Sequence, residues 1–363
     1  MEALGVGRNL WHRGAPWHHQ RQGHWLLLVL LLGASALALA TLALGPVAMA
    51  PDRVIAALLG HGTPIETAII WHLRLPRLLL GIAVGVSLAL AGAALQGVLR
   101  NPLADPGLIG VSGGASLGAV AVIVLSGRIG IALPAALQSW LLPAAAFLGA
   151  GVVIGIVFTL ARRHGETSVA TLILAGVAMN AITGAAIGAL IYVSDDDQLR
   201  DFTFWTMGAL GGADWPLVLV VIGLTTLSAP VLISQARALD LLQLGERAAF
   251  HAGLGVEQAK RCTALATAIA VGAVTSAAGP IGFIGLVAPH LVRLIQGPRH
   301  GILLPASMLM GVCLALAADL VVRLVVPPAE PPLGLATSLV GGPFFLWLLL
   351  KDRGGRPGGG DHA

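Results

Sequence analysis

The sequence predicts an all-α, polytopic membrane protein with about ten membrane-spanning helices, and three observations predict it. Of its 363 residues 56% are hydrophobic and only 10% are charged. A water-soluble domain carries roughly 25% charged residues, so this composition cannot build a surface that faces water on all sides. Apolar runs of about the 20 residues needed to cross a bilayer recur along the whole chain, and the basic residues cluster between them. The 48 glycines follow no G-X-Y period, which excludes collagen, and the hydrophobicity excludes low-complexity disorder. A water-soluble enzyme and a nucleic-acid binder are excluded on the same grounds, although the isoelectric point is near 9.8.

The runs read in order as spans at 25–48, 75–98, 107–126, 140–160, 168–193, 215–234, 260–278, 281–296, 303–325 and 334–350. The first follows a basic tail, residues 1–24, with Arg8, Arg13 and Arg21. A basic segment before an apolar run can head a signal peptide, but this run is long and nine more follow, so it reads as an uncleaved first span. The third is irregular because it follows Asn101-Pro102-Leu103-Ala104-Asp105-Pro106-Gly107. The eighth is short because Gly279-Pro280 breaks the apolar run. A glycine-rich tail, residues 351–363, closes the chain, leaving 25–350 as the membrane domain.

The basic residues give an orientation. With the N-terminus inside and ten spans, the inner side receives fifteen of the twenty-one Lys and Arg residues. The outer side receives Arg53, Arg74, Arg77, Arg128, Arg200 and Arg323, together with the acidic run Asp195-Asp196-Asp197. The positive-inside rule expects this split, and it puts both termini in the cytoplasm. The pairs Gly81/Gly85, Gly151/Gly155 and Gly184/Gly188 are spaced to bare one helix face for close packing.

Several chemistries are missing. The chain has two lysines, Lys260 and Lys351, and neither follows a glycine, so no Walker A loop exists to cradle a nucleotide phosphate. Asp319 is the clearest ionisable residue within a span, a functional candidate by default. Arg323 lies four residues on along the same helix face and can neutralise it in a structural ion pair. Gly110-Val111-Ser112-Gly113 matches a pattern of rhomboid-type intramembrane serine proteases, and Gly114-Ala115-Ser116-Leu117-Gly118 matches a nucleophile elbow. The elbow needs a strand before the serine, and the first pattern needs a histidine base on a partner helix. His72 and His290 lie near span ends with no sign of that partnership, so a Gly/Ser-rich helix start is the better reading. Cys262 and Cys313 read as small buried residues. No catalytic residue and no resident metal or cofactor is expected.

Four segments are too idiosyncratic for generic spans. The first is Arg74-Leu75-Pro76-Arg77, continuing through Gly92-Ala93-Ala94-Leu95-Gln96-Gly97 to 101–110; the second is Phe204-Trp205-Thr206-Met207-Gly208-Ala209-Leu210 with Trp215. The third is Leu242-Gln243-Leu244-Gly245-Glu246-Arg247-Ala248-Ala249, running on to His251 and Gly253-Leu254-Gly255-Val256; the fourth is the glycine- and proline-rich 279–293. Over residues 70–350, in order and without large gaps, the chain resembles the permease subunit of bacterial type II ABC importers for iron-siderophore, heme and vitamin B12, the FecCD family. That resemblance implies a homodimer of ten-helix subunits in the inner membrane, with the translocation path between the two copies. It further implies two ATP-binding cassette subunits on the cytoplasmic side, which would hydrolyse the ATP, and a periplasmic binding protein docked outside.

Residue roles carried by the resemblance can be set beside local physical readings. Arg74, Arg77 and Arg323 match positions that receive glutamates of the binding protein, and a guanidinium at a water interface takes a carboxylate bidentately; plain snorkelling is the alternative. The polar stretch 237–256 alternates Asp240, Glu246, Arg247 and His251 with apolar residues and reads as short amphipathic helices. The resemblance makes Leu242, Leu244, Gly245, Glu246, Arg247, Ala248, His251 and Gly253 the coupling contact with the ATPase; a helix lying in the headgroup plane is the alternative. Asn101, Leu103, Thr167 and Ser168 match cytoplasmic gate positions, with an ordinary connecting loop as the alternative. Arg200, in Gln198-Leu199-Arg200-Asp201-Phe202-Thr203-Phe204-Trp205, resembles an arginine typical of the heme-permease branch. A guanidinium suits the two propionates of heme, while a surface pair with Asp196 or Asp201 is worth little. Heme is therefore the expected cargo, with a ferric siderophore or cobalamin as the alternatives. Met49, His61 and His72 are weaker candidates for transient contacts with it.

Overall fold

The computed structural model describes residues 16–129, 134–163, 166–325 and 331–354. In chain order the α-helices are α1 (Pro16–Ala43), α2 (Pro51–Leu58), α3 (Pro64–Ala68), α4 (Leu75–Leu99), α5 (Val111–Ile129), α6 (Ala135–Ala161), α7 (Val169–Tyr192), α8 (Asp196–Thr206), α9 (Trp215–Ser234), α10 (Ala236–Gln243), α11 (Glu246–His251), α12 (Val256–Ala278), α13 (Ile284–Gln296), α14 (His300–Val325) and α15 (Leu333–Gly354). A π-helical turn, Ile69–Arg74, joins α3 to α4, and a 3-10 turn, Pro106–Ile109, precedes α5. The one sheet among the described residues is a two-stranded antiparallel ladder, β1 (Arg162–Arg163) with β2 (Glu166–Thr167).

Seven helical segments are long and apolar enough to cross a membrane, and shorter apolar stretches of α5, α13 and α15 complete the expected ten among the described residues. The irregular third span and the short eighth span are as expected. Helix ends differ more. α1 begins at Pro16, within the segment expected as a tail, and the C-terminal helix runs on to Gly354; residues 1–15 and 355–363 of the two expected tails lie outside the described residues. The second span continues back without a break from Leu75 through the π turn to Pro64. Polar residues near its start, His72, Arg74 and Arg77, hide this continuity in the hydropathy pattern.

α4 is the central helix: 83% of its most apolar window is buried, against α14, α12, α9 and α13. Close approach is bought with glycine. A Cβ on Gly85 would strike the Gly311 backbone of α14, and one on Gly92 would strike the Gly285 carbonyl of α13. Of the three glycine pairs read as packing faces, the one holding Gly85 behaves that way. Gly151, Gly155, Gly184 and Gly188 do not: a Cβ on any of them would meet nothing within 4 Å. Those glycines lie on the outer faces of α6 and α7, where Leu174, Val177 and Ile182 are also exposed.

Candidate functional site

Alternation of the helices gathers the loops at two ends. One holds the segment 100–105, the β1–β2 hairpin, α10, α11 and the start of α14; the other holds α2, the π turn, α8, the segment 279–283 and the start of α15. Direct contacts join the parts of each end. At the first, Gln243 Nε2 donates to Gly97 O (3.1 Å) and Asp240 Oδ1 accepts from the His300 backbone N–H (2.9 Å). At the second, Ala209 N donates to Ala278 O (2.7 Å), Gly334 N donates to Gly208 O (3.1 Å), and Trp215 Nε1 donates to Trp71 O (2.7 Å).

The four idiosyncratic segments interlock. Gln96 is buried and bonds Ala104 O (3.2 Å) and Gly285 O (3.4 Å) while accepting from the Arg293 guanidinium, so it ties the first segment to the fourth. Gln243 ties the third to the first. Gly208 and Gly279, both at positive φ, press backbone on backbone and join the second to the fourth. Only glycine fits such a contact, because a Cβ would strike the opposite main chain and the left-handed backbone would strain it as well.

At the α8 end the three arginines are placed together but differ from the expected exposed groups. Arg74, Arg77 and Arg323 are 7, 9 and 6% exposed. Arg77 donates from Nε (3.0 Å) and Nη2 (2.8 Å) to Asp319 Oδ1, and Arg323 Nε is 3.1 Å from Asp319 Oδ2. Arg74 caps the end of α1, donating to the carbonyls of Leu42, Ala43 and Val47, and Arg323 donates to Thr41 O. The α1 C-terminus has carbonyls with no intrahelical partner, and guanidiniums fill that need. The Asp319–Arg323 pairing read from i,i+4 spacing is present; Arg77 as its third member, 242 residues away in sequence, had no local signal.

α8 carries Arg200. Asp195 caps the helix by accepting from Gln198 N (2.8 Å), with Gln198 bonding back to Asp195 N (3.2 Å). The acidic run thus serves the positive end of the helix dipole. Arg200 is exposed and has no ion pair with Asp196 or Asp201 among the described residues; its guanidinium carbon lies 5.8 Å from the centre of the exposed Phe204 ring. The C-terminal end of α8 borders a cavity of about 510 Å³, lined by Thr206, Met207, Pro280, Leu335, Ser338 and Leu339 among others.

At the opposite end the expected amphipathic helices are α10 and α11, turned by Gly245 at φ 102. Leu242 is buried, anchoring α10, whereas Leu244 and Phe250 are exposed, and Glu246, Arg247 and His251 line a cavity of about 670 Å³. Asn101 closes an Asx turn by accepting from Leu103 N (2.9 Å), and Leu103 is exposed. Asp105 caps the 3-10 turn through Gly107 N (2.7 Å), and burial pushes its carboxyl above the usual carboxylate range. Ser168 caps α7 through Thr171 N (3.3 Å). Thr167 ends the hairpin, is buried, and is held by side chains of α12. The sequence gives no signal for the hairpin, whose strands have two residues each, nor for the bonds that Lys260 makes to it.

Ser116, the serine of the elbow pattern, lies inside α5, so no strand precedes it and the strand-to-helix elbow of a serine hydrolase is absent here.

Comparison with known proteins agrees with this architecture. The sequence profile of the FecCD transport family matches residues 28–351. The chain is 45% identical over 333 residues to the hemin transport system permease protein of Yersinia pestis, covering 91% of this chain and 98% of that one. It is 42% identical over 300 residues to the cobalamin import system permease protein of Halobacterium salinarum, covering 82% of this chain and 78% of that one. A solved inward-facing structure of a metal-chelate type ABC transporter superposes with a TM-score of 0.79 at 30% identity, covering 90% of this chain and 98% of that one. The chain belongs to the FecCD transport family and is a multi-pass permease subunit of a type II ABC importer.

Proposed function

We propose that this permease moves heme from a periplasmic binding protein to the cytoplasm, in a homodimer powered by two ATPase subunits. The observation that carries the choice of cargo is Arg200. It is an exposed guanidinium without an acidic partner among the described residues, beside an exposed aromatic ring, on the helix whose C-terminal end borders the cavity. A heme offers two carboxylates to the first and a flat apolar face to the second. The likeness to a hemin permease over nearly that protein's full length supports the same reading.

On this reading both termini are cytoplasmic, the Arg200 end faces the periplasm, and residues 25–350 form the translocating domain. The exposed apolar faces of α6 and α7 meet lipid or the second copy. Arg74, Arg77 and Arg323 gather positive charge near Asp319, so they draw the binding protein's glutamates through their field rather than as free forks. Asn101, Leu103, Thr167 and Ser168 close the cytoplasmic side, and Leu242, Leu244, Gly245, Glu246, Arg247, Ala248, His251 and Gly253 meet the ATPase. No cofactor stays bound, because heme is released as cargo.

The test is uptake by proteoliposomes holding the permease with its ATPase and binding protein, offered hemin, a ferric siderophore or cobalamin. Hemin accumulation that drops several-fold in Arg200→Ala supports the reading. Uptake of a siderophore or cobalamin without hemin overturns it.

A further inference from the structure

The hairpin that carries Thr167 is not a free turn. Both Glu257 carboxylate oxygens accept from Thr167, one from the backbone N–H (2.8 Å) and one from the hydroxyl (2.8 Å). Lys260, one turn along α12 and only 2% exposed, donates to Thr167 O (2.7 Å), to Glu246 Oε2 (2.7 Å) and toward Glu257 Oε1 (3.5 Å). An ammonium has three protons, and these three acceptors take all of them. Glu246 opens α11, and its other oxygen lies 3.7 Å from Arg100 Nη2. Arg100 stands at φ 50 at the end of α4, immediately before Asn101-Pro102-Leu103. One carboxylate on α11 therefore reaches the hairpin through Lys260 and the 101–105 segment through Arg100.

We propose that Glu246 and Lys260 form the transmission that makes the hairpin follow α11. If α11 shifts as a body, Lys260 loses one of two carboxylates while its charge stays buried. Glu246 is the nearer of the two, and leaving a buried ammonium only the 3.5 Å contact to Glu257 is costly, so the lower-energy course is for Lys260 and the Thr167 strand to move with Glu246. The Arg100 branch is longer and more than a third exposed on both sides or nearly so, hence weaker through screening. Lys260 carries the main stroke, and Glu246 and Lys260 act as positioning residues with no contact to cargo or nucleotide. The inference rests on α11 being the ATPase contact and the hairpin being part of the gate.

The test needs no knowledge of the cargo. A Glu166→Cys probe is placed on the exposed hairpin strand in a Cys262→Ser, Cys313→Ser background, in the importer assembled with its ATPase and binding protein. Its maleimide labelling rate is read with and without MgATP, alongside ATP hydrolysis and hemin uptake. With Lys260 present, MgATP changes the labelling rate several-fold. In Lys260→Met hydrolysis stays within about two-fold, the labelling response disappears and uptake falls at least ten-fold; Lys260→Arg restores the response in part, and Glu246→Gln also loses the labelling response. An unchanged labelling response in Lys260→Met overturns the proposal, as does a hairpin that never responds to MgATP. Loss of hydrolysis in step with the response in all three variants also overturns it, since the network would then be a clamp needed for assembly. A normal labelling response without hemin uptake counts against the cargo alone.

Discussion

Deleting the Asp319 carboxylate tests the buried charge cluster in a way that separates its parts. Asp319, Arg77 and Arg323 are 3, 9 and 6% exposed, and the carboxylate receives two donors from Arg77 and lies 3.1 Å from Arg323 Nε. Asp319→Ala removes the carboxylate that two buried guanidiniums share. Removing one partner from a buried ion pair costs about 3–5 kcal/mol, and at about 1.4 kcal/mol per tenfold that lowers the folding equilibrium constant by roughly two to three and a half orders of magnitude. Asp319→Asn keeps an acceptor without the charge and loses about 1.5–3 kcal/mol, the range for hydrogen bonds to charged groups. The triple change Arg77→Met, Asp319→Leu, Arg323→Met removes the charges together and is milder than Asp319→Ala alone. Equilibrium unfolding of the purified protein in detergent gives the three values. A cost below about 1 kcal/mol for Asp319→Ala, or a triple variant worse than it, would refute the reasoning.

Three further outcomes follow from the geometry. Gly92→Val pushes side-chain atoms into the Gly285 carbonyl and should abolish the folded monodisperse protein in size exclusion, whereas Gly184→Val, which faces open space, should leave the unfolding midpoint almost unchanged. Ser168→Ala removes the α7 cap and should cost about 1 kcal/mol in the same unfolding assay, with Ser168→Asp recovering most of it. Asp105→Asn keeps the cap to Gly107 and removes a half-buried acid whose carboxyl is pushed up by desolvation. A raised carboxyl contributes stability below its unfolded value that is lost as pH rises through the folded one. Thermal melts should therefore show the Asn variant gaining on the native protein as pH is raised from about 4, and a constant gap across the series would contradict this.

Hydropathy alone showed the ten apolar segments, and glycine-proline breaks showed which spans are irregular, because those features are local in the chain. The resemblance then pointed to residues that the fold does bring together at two ends. What stayed hidden depends on distant partners. Arg74 and Arg77 look like outward-facing charges in the sequence, yet carbonyls at the α1 terminus and Asp319 let them be buried. Gly184 and Gly188 carry the same spacing as a packing motif, but spacing cannot say whether a neighbour is present. Lys260 joins elements 14 and 93 residues away, and no periodicity in its own helix records that.

ATP-dependent hemin accumulation tests the central claim most directly. Proteoliposomes carrying the permease with its ATPase and binding protein are loaded with MgATP on the ATPase side only. Hemin should build up inside the compartment that holds the ATPase, above its external level, and should stop when ATP is replaced by a non-hydrolysable analogue. Accumulation that persists without hydrolysis, or none with it, would contradict the assignment.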